Sequence, residues 1–141
     1  MGIAKPENTI IINTMKHFVV CIDDAKITRK WYDVVLLPQL NNISWEIFGE
    51  DASCIPSFLA AALNASLIII DQNLDYADAS FQGTDLAQRL RRDGFTSRIV
   101  IYTSSKQPIT FFTDKGVDTV LYKGEALLEI TRKLVIELDK V

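Results

Sequence analysis

Four short apolar runs, each ending in a polar residue, constrain what this chain can fold into more than any other feature. They are residues 17–22 (HFVVCI, followed by Asp23-Asp24), 66–71 (SLIIID), 98–103 (RIVIYT) and the shorter 118–123 (DTVLYK). Runs this short, rich in β-branched residues and apolar on both faces, mark parallel strands covered by helices on each side. A further run, residues 44–49 (SWEIFG), alternates apolar with polar, as an edge strand does.

Helical spacing fills the intervals. Ile27, Trp31, Val34 and Val35 fall at i, i+4, i+7 and i+8 and predict one buried face, closed or kinked by Pro38. Pro56 opens the next helix, with Phe58, Leu59, Ala62 and Leu63 as its stripe. Thr84 is expected to cap a third, with Leu86 and Leu90 inside and Asp93-Gly94 at its end. Pro108 and Gly116 bracket a short fourth, and Leu127, Thr131, Leu134 and Leu138 mark the last. Strand and helix thus alternate five times. Right-handed crossovers turn that order into a doubly wound α/β sheet, and five strands favour the flavodoxin-like (βα)5 arrangement, 2-1-3-4-5. The expected division is an N-terminal arm over residues 1–16 and one domain over 17–141.

Composition excludes several classes. A 141-residue chain that is 48% hydrophobic is the size and character of one globular domain. Its net charge of −3 and lack of a basic block leave nucleic acid unsupported as a direct partner. Arg89, Arg91 and Arg92 read as the solvated face of a helix. Cys21, Cys54 and the single histidine lack the number and spacing of a zinc site. No apolar run is long enough to cross a bilayer, and Ile10–Ile12 is too short a patch for a signal peptide. A cytoplasmic protein without membrane insertion is expected.

In a doubly wound sheet ligands bind beyond the C-terminal strand ends, at the switch point between strands 1 and 3. The residues expected there are Asp23 and Asp24, Asp71, Thr103 with Ser104 and Ser105, and Lys123. Three carboxylates brought together repel one another, and a hard cation such as Mg²⁺ relieves the repulsion. With the cation in place a phosphoryl group becomes tolerable, and one carboxylate can act as nucleophile. A hydroxyl and a flexible ammonium can then serve the phosphoryl oxygens. A flavin phosphate would be repelled by Asp23-Asp24, and neither a G-x-G-x-x-G nor a P-loop motif is present.

These residues, in this order, resemble the receiver domain of bacterial response regulators and hybrid histidine kinases, over about residues 17–140. The resemblance implies Asp71 as phosphoacceptor and Asp23, Asp24, Asp71 and the Asn73 backbone carbonyl as ligands of Mg²⁺. It implies that Thr103 contacts the phosphoryl group, that Lys123 pairs with Asp71 and then with the phosphoryl oxygens, and that Gly83 opens the third helix. It implies a histidine kinase or histidine phosphotransfer protein as donor, and the face of helix 4, strand 5 and helix 5 as output surface. No DNA-binding segment follows in this sequence, so output by protein contact is expected.

Three positions depart from the family pattern. The proline usual after the lysine is Gly124, and the aromatic usual three residues before it is Val120. Tyr122 is the nearby aromatic, expected on the opposite face. The stretch from Asp71 to Gly83 is longer than usual by roughly four residues. The first two departures motivate an alternative, a receiver-like interaction module that no longer switches by phosphorylation. A hydrolase using Asp71 as nucleophile is disfavoured, because its general acid would stand at Asn73, which does no acid–base work. A signalling domain is therefore expected rather than an enzyme.

Overall fold

The computed structural model describes residues 16–141. Five parallel strands form the sheet: β1 (His17–Ile22), β2 (Ile43–Phe48), β3 (Leu67–Asp71), β6 (Arg98–Thr103) and β7 (Thr119–Tyr122), in the order β2-β1-β3-β6-β7. This is the flavodoxin-like order expected, with the alternating strand at the edge. The long stretch after Asp71 is an antiparallel hairpin of β4 (Asn73–Asp75) and β5 (Ser80–Gln82), not an open loop. The Tyr76 and Phe81 rings meet edge to face across it at 6.4 Å.

The helices are α1 (Lys26–Trp31), α2 (Ile55–Ala62), α3 (Gly83–Arg92), α4 (Ile109–Thr113) and α5 (Leu127–Asp139). Side chains alternate along each strand and feed two cores. Val20, Ile22, Ile68, Ile70 and Ile101 face α2, α3 and α4 with Phe58, Leu90 and Phe112. Val19, Cys21, Ile69 and Val100 face α1 and α5 with Tyr32, Leu36 and Leu134. A polar lattice ties the far end of the sheet. Arg98 Nη2 lies 2.7 Å from the buried Glu137, and Arg91 Nη2 lies 2.8 Å from Asp118.

Several helix expectations need correction. Ile27 is 82% exposed and Val34 57%, whereas Tyr32, Leu36 and Leu37 are buried. After Trp31 the helix continues as a π turn over Tyr32–Leu36, and this wider turn departs from the 3.6-residue repeat at Val34, whereas Ile27 sits on the solvent face of the regular turns before it. In α2 only Phe58 and Ala62 of the expected stripe are fully buried, and Leu63 is exposed. In α5 the buried row is Ile130, Leu134 and Leu138 with Glu137 beside it. Thr84 does not cap α3. Gln82 stands at the cap position, and Thr84 is buried in the first turn, the second residue of the helix. Residues 1–15 of the expected arm lie outside the described residues, while the Lys16 N–H already donates to Asn42 O at 2.9 Å.

Candidate phosphoacceptor site

Register builds the site. Ile22 pairs with Ile70, so the residues that follow, Asp23 and Asp71, emerge side by side at the ends of β1 and β3. Asp23, Asp24 and Asp71 each offer a carboxylate oxygen, all within 4.8 Å of one another. Asp23 and Asp71 are buried and Asp24 is half-buried. On the next strand Thr103 ends β6, and Lys123 follows β7 with its N–H donating to Thr103 O at 2.8 Å. Lys123 Nζ lies 3.1 Å from Asp23 Oδ2 and 3.4 Å from Asp71 Oδ1. The expected acidic triad and the lysine therefore come together at the switch point.

One ammonium does not neutralise three carboxylates. Burial, and then the charge of Asp23, pushes the Asp71 carboxyl up to about 7, although Lys123 opposes the rise. Burial likewise raises Asp23, against the Ala25 N–H and Lys123. Such a cluster has the donor chemistry of a hard divalent cation, for which carboxylate and carbonyl oxygens are the preferred ligands. The Asn73 carbonyl fits this set. Gly83 N donates to Gln72 O and Tyr76 N to Ala79 O, each at 2.8 Å. In an antiparallel ladder the residues between such bonded pairs turn their own N–H and C=O away from the partner strand. Asn73 and Asp75 are those residues, and the Asp75 N–H donates outward to Asp24 Oδ2 at 2.9 Å. The Asn73 carbonyl is presented along that same outer edge.

Thr103 is buried, and its Oγ1 accepts from the Ser105 N–H at 2.9 Å. That contact uses a lone pair and leaves the hydroxyl proton free to donate. Val120 and Tyr122 both lie on the α4 face of β7, as a spacing of two requires. Tyr122 is thus not on the opposite face, and it pairs in register with Thr103.

Four supporting residues escaped the sequence reading. Arg29 Nη1 donates to Asp23 O at 3.0 Å and to Gly49 O at 3.2 Å, joining the ends of β1 and β2. Gly49 has φ +130°, and a Cβ there would stand 1.9 Å from Asp23 O, so any larger residue would displace Asp23. Gln72 Nε2 donates to Thr84 Oγ1 at 3.2 Å, and the Thr84 N–H donates to Gln72 Oε1 at 3.0 Å. The side chain of Gln72 therefore does for the first turn of α3 what a local cap would do. Asp75 supports Asp24 through its backbone N–H. Gly49 alone left a trace in the sequence, as a glycine where β2 ends. At Gly83, expected to open α3, a Cβ would lie 2.5 Å from Asp71 O, which accounts for the glycine.

No family model matches the chain. The nitrate/nitrite response regulator protein NarP of Escherichia coli K12 is 32% identical over 119 residues, covering 81% of this chain and 53% of that protein. The chain thus spans about half the length of the curated relative it matches. Among solved structures, the Francisella response regulator 1452 receiver domain matches with a TM-score of 0.71 at 19% identity, over 89% of this chain and 98% of that one. The CheY-like response regulator receiver domain protein of Methanospirillum hungatei JF-1 matches with a TM-score of 0.70 at 18% identity, over 88% and 94%. Likeness at these identities speaks to the fold, and the relative speaks to descent. With the flavodoxin-like sheet and an acidic cluster at its switch point, they identify the chain as a receiver domain of the response-regulator family in two-component signal transduction.

Proposed function

We propose that this receiver accepts a phosphoryl group on Asp71, from a phosphohistidine of a histidine kinase or phosphotransfer protein. The observation that carries the proposal is the convergence of Asp23, Asp24, Asp71 and Lys123 at one sheet edge. In the transfer the P–N bond to the donor imidazole breaks and a P–O bond to an Asp71 carboxylate oxygen forms. Asp23, Asp24, Asp71 and the Asn73 carbonyl would hold Mg²⁺, which when bound supplies the positive charge that lets a phosphoryl dianion approach carboxylates. Lys123 adds a point charge for one phosphoryl oxygen. The Thr103 hydroxyl has a proton to donate to another. The charge added, about −1.5 to −2, would then bias Thr103 and the neighbouring α4, β7 and α5 surface between two arrangements.

This reading makes the chain a signalling domain whose chemistry is confined to its own phosphorylation and dephosphorylation. Output through protein contact and a cytoplasmic location accompany it. Among the described residues no helix is long and apolar enough to cross a membrane. Residues 17–141 form the proposed receiver unit. The test is the intact mass of the chain after incubation with acetyl phosphate, with and without Mg²⁺, beside Asp71→Asn. A gain of about 80 Da that needs both Mg²⁺ and Asp71 is expected. No gain by a folded chain would sink the proposal and favour the interaction-module alternative.

A further inference from the structure

Tyr102 is the residue before Thr103 on β6, and it pairs in register with Asp71 on one side and Leu121 on the other. Its side chain leaves the sheet opposite to Thr103, into the core beneath α1. There its ring stacks on Trp31, with 5.7 Å between centroids and 12° between planes, and tilts against Tyr32 at 6.0 Å. Lys123 Nζ lies 5.6 Å from the centroid of that same ring. The ammonium therefore has three neighbours: the Asp23 carboxylate, the Asp71 carboxylate and the face of Tyr102.

Two of these neighbours change in the proposed reaction. Asp71 turns from a free carboxylate into an acyl phosphate, and the charge around Asp23 changes when a cation binds. The ring changes in neither step. A cation within about 6 Å of an aromatic centroid is drawn to the ring face by its quadrupole. Lysine reaches its partners on a flexible four-carbon stem, which costs rotamer entropy each time it is held. A buried ring clamped by a second, parallel ring offers that stem a fixed support.

We propose that Tyr102, held by its stack on Trp31, is a positioning residue for Lys123 in phosphoryl transfer. Its ring face keeps the ammonium over Asp71 while the charges on the carboxylate side change. The inference rests on the phosphoacceptor reading of Asp71. Trp31 belongs to α1, so the support also couples that helix to the position of the lysine.

The experiment compares the native chain, Tyr102→Phe and Tyr102→Leu. Three quantities are read on each folded protein: the rate of labelling by acetyl phosphate at saturating Mg²⁺, the Mg²⁺ midpoint, and the NMR shifts of the Lys123 ε-methylene without phosphodonor. Protons over a ring face are shifted upfield, so the last reads the contact without any reaction. Tyr102→Phe is expected to keep the upfield shift and to label within about twofold of the native rate. Tyr102→Leu is expected to lose the shift and to label roughly three- to tenfold more slowly, at an unchanged Mg²⁺ midpoint. Trp31→Leu, which unstacks the ring without removing it, is expected to fall between them and serves if Tyr102→Leu does not fold. Native-rate labelling by folded Tyr102→Leu, equal slowing of Phe and Leu variants, or a moved Mg²⁺ midpoint would each overturn the inference. Failure of the native chain to label would instead overturn the phosphoacceptor reading, and the methylene shifts would still decide whether the ring holds the lysine.

Discussion

Lys123 Nζ stands 3.1 Å from Asp23 Oδ2, although the two residues are 100 positions apart in the chain. Asp23 has no solvent exposure, and the Ala25 N–H and the lysine together make a buried carboxylate tolerable there. The same ammonium also serves Asp71 at 3.4 Å, and the excess of negative charge stays with the pair.

That excess predicts an unusual pH dependence for Asp71→Asn. A carboxyl whose folded pKa lies above its unfolded value holds its proton more tightly when folded, so ionising it costs stability. Asp71 is raised from 3.8 to about 7. Its penalty is therefore absent below about pH 4 and grows until the pH passes about 7. Without divalent cations, Asp71→Asn is expected to be more stable than the native chain at pH 8, by on the order of 2–3 kcal/mol. At pH 4 the two should be equal. Denaturant unfolding in a chelator across that range checks it, and an equal difference at both ends would refute the electrostatic account. Added Mg²⁺ is expected to raise the native Tm more than that of the variant.

Glu137 carries the opposite sign. It is buried in α5, accepting from Arg98 Nε and from Thr119 Oγ1, each at 2.8 Å. Desolvation works against its charge, but the Thr119 hydroxyl and Arg98 hold its carboxyl below the usual range. Its contribution is therefore complete above its unfolded pKa and is lost as pH falls through the folded value. Glu137→Ala is expected to cost about 2–4 kcal/mol at pH 7 by stranding Arg98 and Thr119. Glu137→Gln should cost about half as much, because an amide can still accept. Acid titration of stability in the three proteins tests this. The site is at the other end of the sheet, so labelling of Asp71 should not change.

Gly124 shows why restoring a family residue can harm this chain. Its φ is +110°, outside the reach of proline, whose ring holds φ near −65°. Gly124→Pro is expected to destabilise by roughly 2–3 kcal/mol or to shift the loop that carries Lys123. Gly124→Ala meets no atom within 4 Å and carries only the strain of its positive φ, about 1 kcal/mol. Thermal unfolding of both variants distinguishes backbone conformation from lack of space. A fully stable Gly124→Pro would show that the loop accepts another path.

The sheet and the members of its site were legible in sequence for one reason. A strand covered on both faces must be apolar throughout, so the polar residue that ends each run marks where the chain leaves the core. Asp23, Asp24, Asp71, Thr103 and Lys123 were found that way, and the (βα)5 order placed them on one edge. Helix faces were less legible, because a 3.6-residue template assumes a regular helix. The π turn at Tyr32–Leu36 leaves Val34 exposed while Tyr32 and Leu36 are buried. Apart from Gly49, the supports of the site were not legible. The Gln72 side chain on Thr84, the Asp75 N–H on Asp24, Arg29 on Gly49 O and the Tyr102 ring beside Lys123 all join residues distant in the chain. Local sequence determined which residues end each strand, because burial acts on each segment separately. Which of those residues touch was decided by register and packing, which exist only once the segments have assembled.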